Sequence, residues 1–290
     1  MKNTFKITLL CFAISTFQFS CTNETSETPT LETIRLVKSI ETVYNPETGL
    51  AYSNQNKEDY KYNEKGQLIE IKQYDDDIYP NGGYFHDIFT YNNNGQVVEI
   101  TEFNPDDTQL TAEHKIFTYN SKGLISTYKE EGDEIVTYIY DQSDRLISSK
   151  TDDLLKNSTP ATDYDFEITM SYDQNTIYST EKYPYNTVPY EEKSVAKVND
   201  SKSITSLLFT PALAKIYYYY PSNTTCLMLS DNKTVTEYSE INRITSDKIL
   251  QYTYEFKYNE LGNPIEKSAF NKEHKLVSKT VYVYETISKI

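Results

Sequence analysis

At 290 residues the chain has room for one large β domain or two small ones. Its formal charge is −15, and the first 20 residues hold Lys2 and Lys6 but no acid, so the remainder carries −17. So acidic a chain is repelled by phosphate backbones, which argues against nucleic acid as a partner. Hydrophobic residues make up 38% even with 28 tyrosines counted, and tryptophan is absent. Tyrosine covers area with its ring while its hydroxyl stays wet. The composition therefore predicts a broad, thin, tyrosine-faced sheet.

Residues 1–20 have the form of an export signal: Lys2 and Lys6, an apolar run from Ile7 to Ile14, then Ser20 before Cys21. The run is shorter than the ~20 apolar residues a spanning helix needs. Phe19-Ser20-Cys21 resembles the lipobox of bacterial lipoproteins, with Gln18 standing where Leu is usual. That resemblance implies diacylation of the Cys21 thiol and cleavage before it. The polar stretch from Thr22 to Thr30 reads as a tether between lipid and body, giving a signal peptide at 1–20, a tether at 21–31 and a single domain at 32–290. Cys11, Cys21 and Cys226 offer no disulfide framework, and Cys226 reads as a small buried hydrophobe.

From Tyr60 onward one turn motif recurs. Copies begin at Tyr62-Asn63 with Gly66, Tyr91-Asn92 with Gly95, and Tyr119-Asn120 with Gly123. Tyr140-Asp141 follows with Asp144 in place of glycine, Tyr172-Asp173 is degenerate, and Tyr258-Asn259 with Gly262 closes the series. Asn favours the first position of a type I turn, and glycine accepts the positive φ that folds the chain straight back. Before the last turn, Leu250, Tyr252, Tyr254, Phe256 and Tyr258 alternate with Gln251, Thr253, Glu255 and Lys257, the period of a strand with one apolar face. Other turns at 74–83, 104–107, 130–133 and 271–274 close hairpins on the opposite edge. The expected fold is all-β: an antiparallel up-and-down meander of repeated hairpins, a curved single sheet or partly open barrel, with one irregular insertion at 184–232. Pro184, Pro189, Pro211 and Pro221 punctuate that insertion, and 203–209 reads as a short helix within it. An insertion of this kind covers an open edge or plugs a concave face.

The repeats resemble the YD repeat of Rhs-type proteins over about 60–150 and 250–290. They are more closely similar to lipid-anchored envelope proteins of Gram-negative bacteria, which carry a short YD-like array in a domain of unknown function with a porin-like meander. That likeness implies an architecture and an address: an outer-membrane lipoprotein in the cell envelope, facing the periplasm or the cell surface.

Chemistry is sparse in the sequence. His86, His114 and His274 lie far apart, and no H-E-x-x-H, C-x-x-C, G-x-S-x-G or phosphate-binding glycine loop occurs. Asp75-Asp76-Asp77 fails the EF-hand spacing, because Tyr79 and Pro80 stand at its fifth and sixth positions. No cofactor, no metal site and no catalytic residue is expected. The expected role is a non-enzymatic binding or interaction module, with the membrane as partner through Cys21 and a glycan or an envelope protein as ligand. Tyr217, Tyr218, Tyr219 and Tyr220 are the candidate ligand-facing residues. The alternative is an envelope hydrolase or glycan-processing enzyme with its site in the insertion; a membrane-embedded barrel ranks below both, because one face of its strands is too polar for lipid.

Overall fold

The computed structural model describes residues 33–75, 83–105, 109–130, 134–153, 167–183, 190–209, 211–214, 234–242 and 248–287. Among them the strands are β1 (Thr33–Tyr44), β2 (Ala51–Tyr62), β3 (Leu68–Asp75), β4 (Tyr84–Tyr91), β5 (Val97–Phe103), β6 (Gln109–Tyr119), β7 (Ile125–Glu130) and β8 (Glu134–Tyr140). There follow β9 (Leu146–Asp153), β10 (Glu167–Asp173), β11 (Thr176–Tyr183) and β12 (Tyr190–Asn199). After them come helices α1 (Ile204–Leu208) and α2 (Pro211–Ala214), then β13 (Thr234–Asn242), β14 (Lys248–Tyr258), β15 (Pro264–Asn271) and β16 (Leu276–Ile287). Each strand is antiparallel to its sequence neighbours, and β1 pairs with β16 from Thr33↔Ile287 to Val43↔Ser278. The curved meander therefore closes completely into a sixteen-stranded barrel, which removes its edges.

The repeat builds a bulge beside each turn. Lys61 pairs with Glu70 but Tyr62 with Leu68, so Ile69 is the extra residue. The same shift follows Thr90, Thr118, Ile139 and Lys257. It explains why Leu68 and Ile71, three apart, both face inward, opposite Tyr62 and Tyr60. Inward-facing Leu36, Ile71, Phe89, Ile100, Ile125, Val136, Leu146 and Ile177 make one continuous core around the wall. The outer wall carries cross-strand ion pairs instead: Lys38–Asp59, Lys61–Glu70, Lys197–Glu237 and Lys257–Glu266–Lys279. Exposed pairs of this kind contribute ~0–1 kcal/mol each. They do, however, fix which face meets water.

Strand β12 is a regular strand inside the stretch read from its prolines as irregular; Pro184 and Pro189 fall before it. The helical part lies between β12 and β13. Its Ile204, Leu208, Phe209 and Leu213 join the barrel core, and the Phe209 ring lies 6.0 Å from that of Phe89 on β4. Ser203 receives the Ser206 N–H at its Oγ (3.2 Å), capping the short helix. Lys202 donates to the Leu261 carbonyl and to Asn263 Oδ1, which ties the root of the insertion to the β14–β15 turn. The insertion thus fills the barrel rather than covering an edge.

Candidate functional site

The barrel has two unlike ends. The first rim carries the repeat turns that follow β2, β4, β6, β8 and β14, together with the start of β1. In the first of these turns, Asn63 accepts at its side-chain oxygen from the Lys65 and Gln67 N–H groups, and Gly66 (φ 77°) donates back to the Asn63 carbonyl. Asn92, Asn120, Asp141 and Asn259 repeat the arrangement, with Gly95, Gly123 and Gly262 at φ 73–78° and Asp144 at 61°. The tyrosine entering the turn also bonds beyond its own hairpin. The hydroxyls of Tyr62, Tyr91, Tyr119, Tyr140, Tyr172 and Tyr284 donate to the backbone carbonyls of Leu36, Leu68, Val97, Ile125, Leu146 and Pro264, at 2.5–2.8 Å. Each acceptor stands near the start of the preceding strand, so the phenols form a ladder around the rim. Burial pushes the phenols of Tyr62, Tyr119, Tyr140 and Tyr284 well above the usual tyrosine range, and that of Tyr91 up to about 12. Tyr258 breaks the series. Its hydroxyl is buried and meets no hydrogen-bond partner among the described residues, where the strand before it, β13, emerges from the insertion.

Toward the second rim the inward face changes character. Asn56, Glu58, Phe85, Glu102, Lys115, Glu181, Glu192 and Lys267 all face the lumen by register, and all are half-buried; Gln73 is exposed. Sixteen strands enclose more space than the side chains of their own wall fill. The polar groups converge where β1 closes on β16. Asn56, Glu41, Thr280, Lys267 and Phe256 form one row across β2, β1, β16, β15 and β14. The next row toward the first rim sets Glu58 beside Ser39 and Tyr282. Glu58 accepts from the Tyr60 hydroxyl (2.5 Å) and from Ser39 Oγ (3.0 Å), and Asn56 donates to Glu41 (3.4 Å). Lys267 Nζ sits 4.8 Å from the centre of the Tyr254 ring. Burial lowers the Lys267 ammonium below its ordinary value, opposed by the Glu41 carboxylate. Burial and the charges of Glu41 and Glu58 together raise the Tyr282 phenol.

Of these luminal residues the sequence singled out only Tyr254 and Phe256, as part of the apolar stripe before the last repeat turn. One further signal existed: Lys267 lies on the strand after the last repeat turn. Cys21 and Tyr217–Tyr220 lie outside the described residues, as do Cys226 and the segments read as signal and tether. The histidines are separate: His86 pairs with Glu70 (3.0 Å) and His114 with Glu99 (2.6 Å), both on the outer wall, and His274 lies in the β15–β16 turn. No group of three metal-ligating side chains occurs among the described residues.

No family model and no curated protein matches the chain. Solved structures do. A porin-like protein from Bacteroides uniformis ATCC 8492 aligns with a TM-score of 0.50 at 14% identity, covering 86% of this chain and 96% of its own. A porin-like protein from Bacteroides vulgatus ATCC 8482 aligns at 0.49 and 10% identity, covering 87% and 99%. The chain is similar to the first of these in fold, an antiparallel up-and-down barrel.

Proposed function

We propose that the chain is a non-enzymatic, lipid-anchored protein of a Gram-negative cell envelope whose barrel lumen is a binding compartment. The observation that carries this reading is the gradient of burial along the inward face. At the first rim Leu68, Val97, Ile125 and Leu146 are at most 2% exposed, whereas toward the second rim half-buried Glu58, Phe85, Glu102, Lys115, Glu181 and Glu192 face inward beside buried Glu41, Asp87 and Thr151. One end is sealed and the other is a cup.

The outer wall supports a water-surrounded barrel over one embedded in lipid. Lys61 and Lys257 project from it with 68% and 69% of their side chains exposed, where a spanning barrel needs an unbroken apolar band. The described helical part of the insertion buries Ile204, Leu208, Phe209 and Leu213 in the core, which weighs against a hydrolytic centre among those residues. Strand β1 starts at the sealed rim. If Cys21 carries lipid, the 12 residue steps from it to Thr33 reach at most ~43 Å, at ~3.6 Å each. The sealed rim then lies toward the membrane and the cup opens away from it. The repeat turns and the porin-like names of the structural neighbours accord with an outer-membrane lipoprotein having its signal at 1–20, tether at 21–31 and body at 32–290. Replacing Cys21 by Ser is expected to move the protein from the membrane fraction to the soluble one and to abolish acyl labelling. Retention in the membrane without label sinks the anchor.

A further inference from the structure

We infer that the outer wall at the β1–β16 closure carries a lipid-docking patch, formed by Leu261, Ile265, Val281 and Val283, which rests one side of the sealed rim on the membrane surface. The inference rests on the reading of Cys21 as a lipid anchor and says how the anchored barrel stands. The patch is contiguous. Ile265 is the extra residue of the β15 bulge, Leu261 lies in the turn just before it, and Val281 on β16 stands between Glu266 on β15 and Ile40 on β1. Val283 follows two residues along β16, nearer the rim, opposite Lys38. These four residues are 37–45% exposed. Ion pairs border them: Lys38–Asp59 on one side and Lys257–Glu266–Lys279 on the other. Ile116, Ile139 and Tyr178 are exposed as well, but they stand singly on β6, β8 and β11. Single exposed apolar residues are ordinary, whereas a contiguous patch with a polar border marks a contact surface.

The occupant follows from where the chain leaves the barrel. Strand β1 begins at this rim and pairs with β16 from its first residue, Thr33↔Ile287, so the segment running back to Cys21 departs from the strand that flanks the patch. A lipid on Cys21 keeps the bilayer within reach, and a small apolar surface held so close engages it at high effective concentration. The segment itself is ill suited to cover the patch. From Thr22 to Thr30 it holds no Ala, Val, Leu, Ile, Met or aromatic residue, and it carries Glu24 and Glu27. A second copy is ill suited too, because four part-exposed side chains fall short of the ~800 Å² per partner that a stable interface buries. Lipid asks less. Apolar side chains enter the boundary between headgroups and acyl chains, while Lys38 and Lys257, on long stems at the border, reach the headgroups. The patch orients the barrel and does not hold it, so loss of acylation still releases the protein.

The native chain has no tryptophan, so one introduced indole reports a single site. The chain from Cys21 onward contains every described element. With Cys226→Ser, it is coupled through the Cys21 thiol to maleimide-bearing lipid in vesicles of phosphatidylethanolamine and phosphatidylglycerol. Val283→Trp is expected to shift its emission to the blue on coupling and to be quenched by brominated lipid. Ile139→Trp, also near the rim but eight strands from β16 in either direction, is expected to do neither. Adding Val281→Glu to Val283→Trp is expected to abolish the shift while β circular dichroism is kept. An unshifted Val283→Trp, equal quenching at both sites, or indifference to Val281→Glu overturns the patch. So does a shift that grows with protein concentration in the absence of vesicles, which gives the surface to a second copy. Acyl labelling of the native chain in cells separates the two levels. If Cys21 takes the label and Val283→Trp is silent, the patch fails and the anchor stands. If Cys21 takes no label and Val283→Trp responds, the anchor fails and the surface still binds lipid.

Discussion

The two ends of this barrel are made from the same strands and differ in what fills them. At the first rim every repeat hairpin but that of Tyr258 is locked to the preceding strand by a phenol on a backbone carbonyl, and the helical insertion packs Phe209 against Phe89. At the second, the inward face carries carboxylates, amides and Lys267 in contact with water. A closed sheet of this size has too few aliphatic residues to fill its whole interior. Among the described residues the buried apolar side chains are concentrated toward one end, and the polar inward-facing groups toward the other.

The largest expected contrast is alkaline. The rim phenols have folded pKa values above the unfolded value of about 10, so they favour the neutral form. Their contribution is fully present below pH 10 and is lost as pH rises from there through the folded values, about 12 for Tyr91. Ionisation followed at 295 nm is therefore expected to coincide with loss of β circular dichroism above pH 10. Phenol ionisation complete before the fold is lost would remove the ladder from the account. Next comes the dry core itself. Leu146→Ala empties a fully buried position and is expected to cost ~2–5 kcal/mol in urea denaturation. Gln73→Ala at the wet end should stay within about 0.5 kcal/mol. Equal costs would mean that the two ends are packed alike.

The ladder allows a finer comparison. Tyr119→Phe removes a hydroxyl and strands the buried Val97 carbonyl, with an expected loss of ~1–3 kcal/mol. Tyr258→Phe removes a buried hydroxyl that has no partner, so it should be neutral or stabilising in the same assay. A loss at Tyr258 as large as that at Tyr119 would show that the missing rung is filled in solution.

Much of the first rim was legible in the sequence, because its information is local. Asn63 to Gly66 encodes its own turn, and the alternation from Leu250 to Tyr258 encodes its own strand. Closure was not legible. Nothing within Thr33–Tyr44 or Leu276–Ile287 states that they pair across a separation of 250 residues, as Arg35 and Glu285 do. The luminal row was hidden for a second reason. The irregularity between Leu36 and Lys38 changes the parity of β1, so that Leu36, Ser39 and Glu41 all face inward. Read by simple alternation, Glu41 belongs with the solvated face. Strand β12 lacked both a repeat turn and a tyrosine at its end, and its flanking prolines spoke louder than its Val195-Ala196-Lys197-Val198 core.

The smallest effects lie in the turns, where the copies differ by one residue. Gly95→Ala puts a side chain at φ 76° with Gln67 Nε2 3.4 Å from the new Cβ, and should cost ~1–2 kcal/mol. The fourth copy already tolerates Asp144 at φ 61°, where Asp144 also accepts from Lys122 (2.6 Å). Asp144→Gly relieves roughly 1 kcal/mol of left-handed strain but adds freedom to the unfolded chain and removes an exposed ion pair. These terms nearly cancel, so the expected shift is within about 0.5 kcal/mol. A clear gain would mean that the ion pair is idle and the strain real. A clear loss would mean that Lys122 and Asp144 hold neighbouring turns together across the rim, so that side chains as well as phenols bind the sealed end of the barrel.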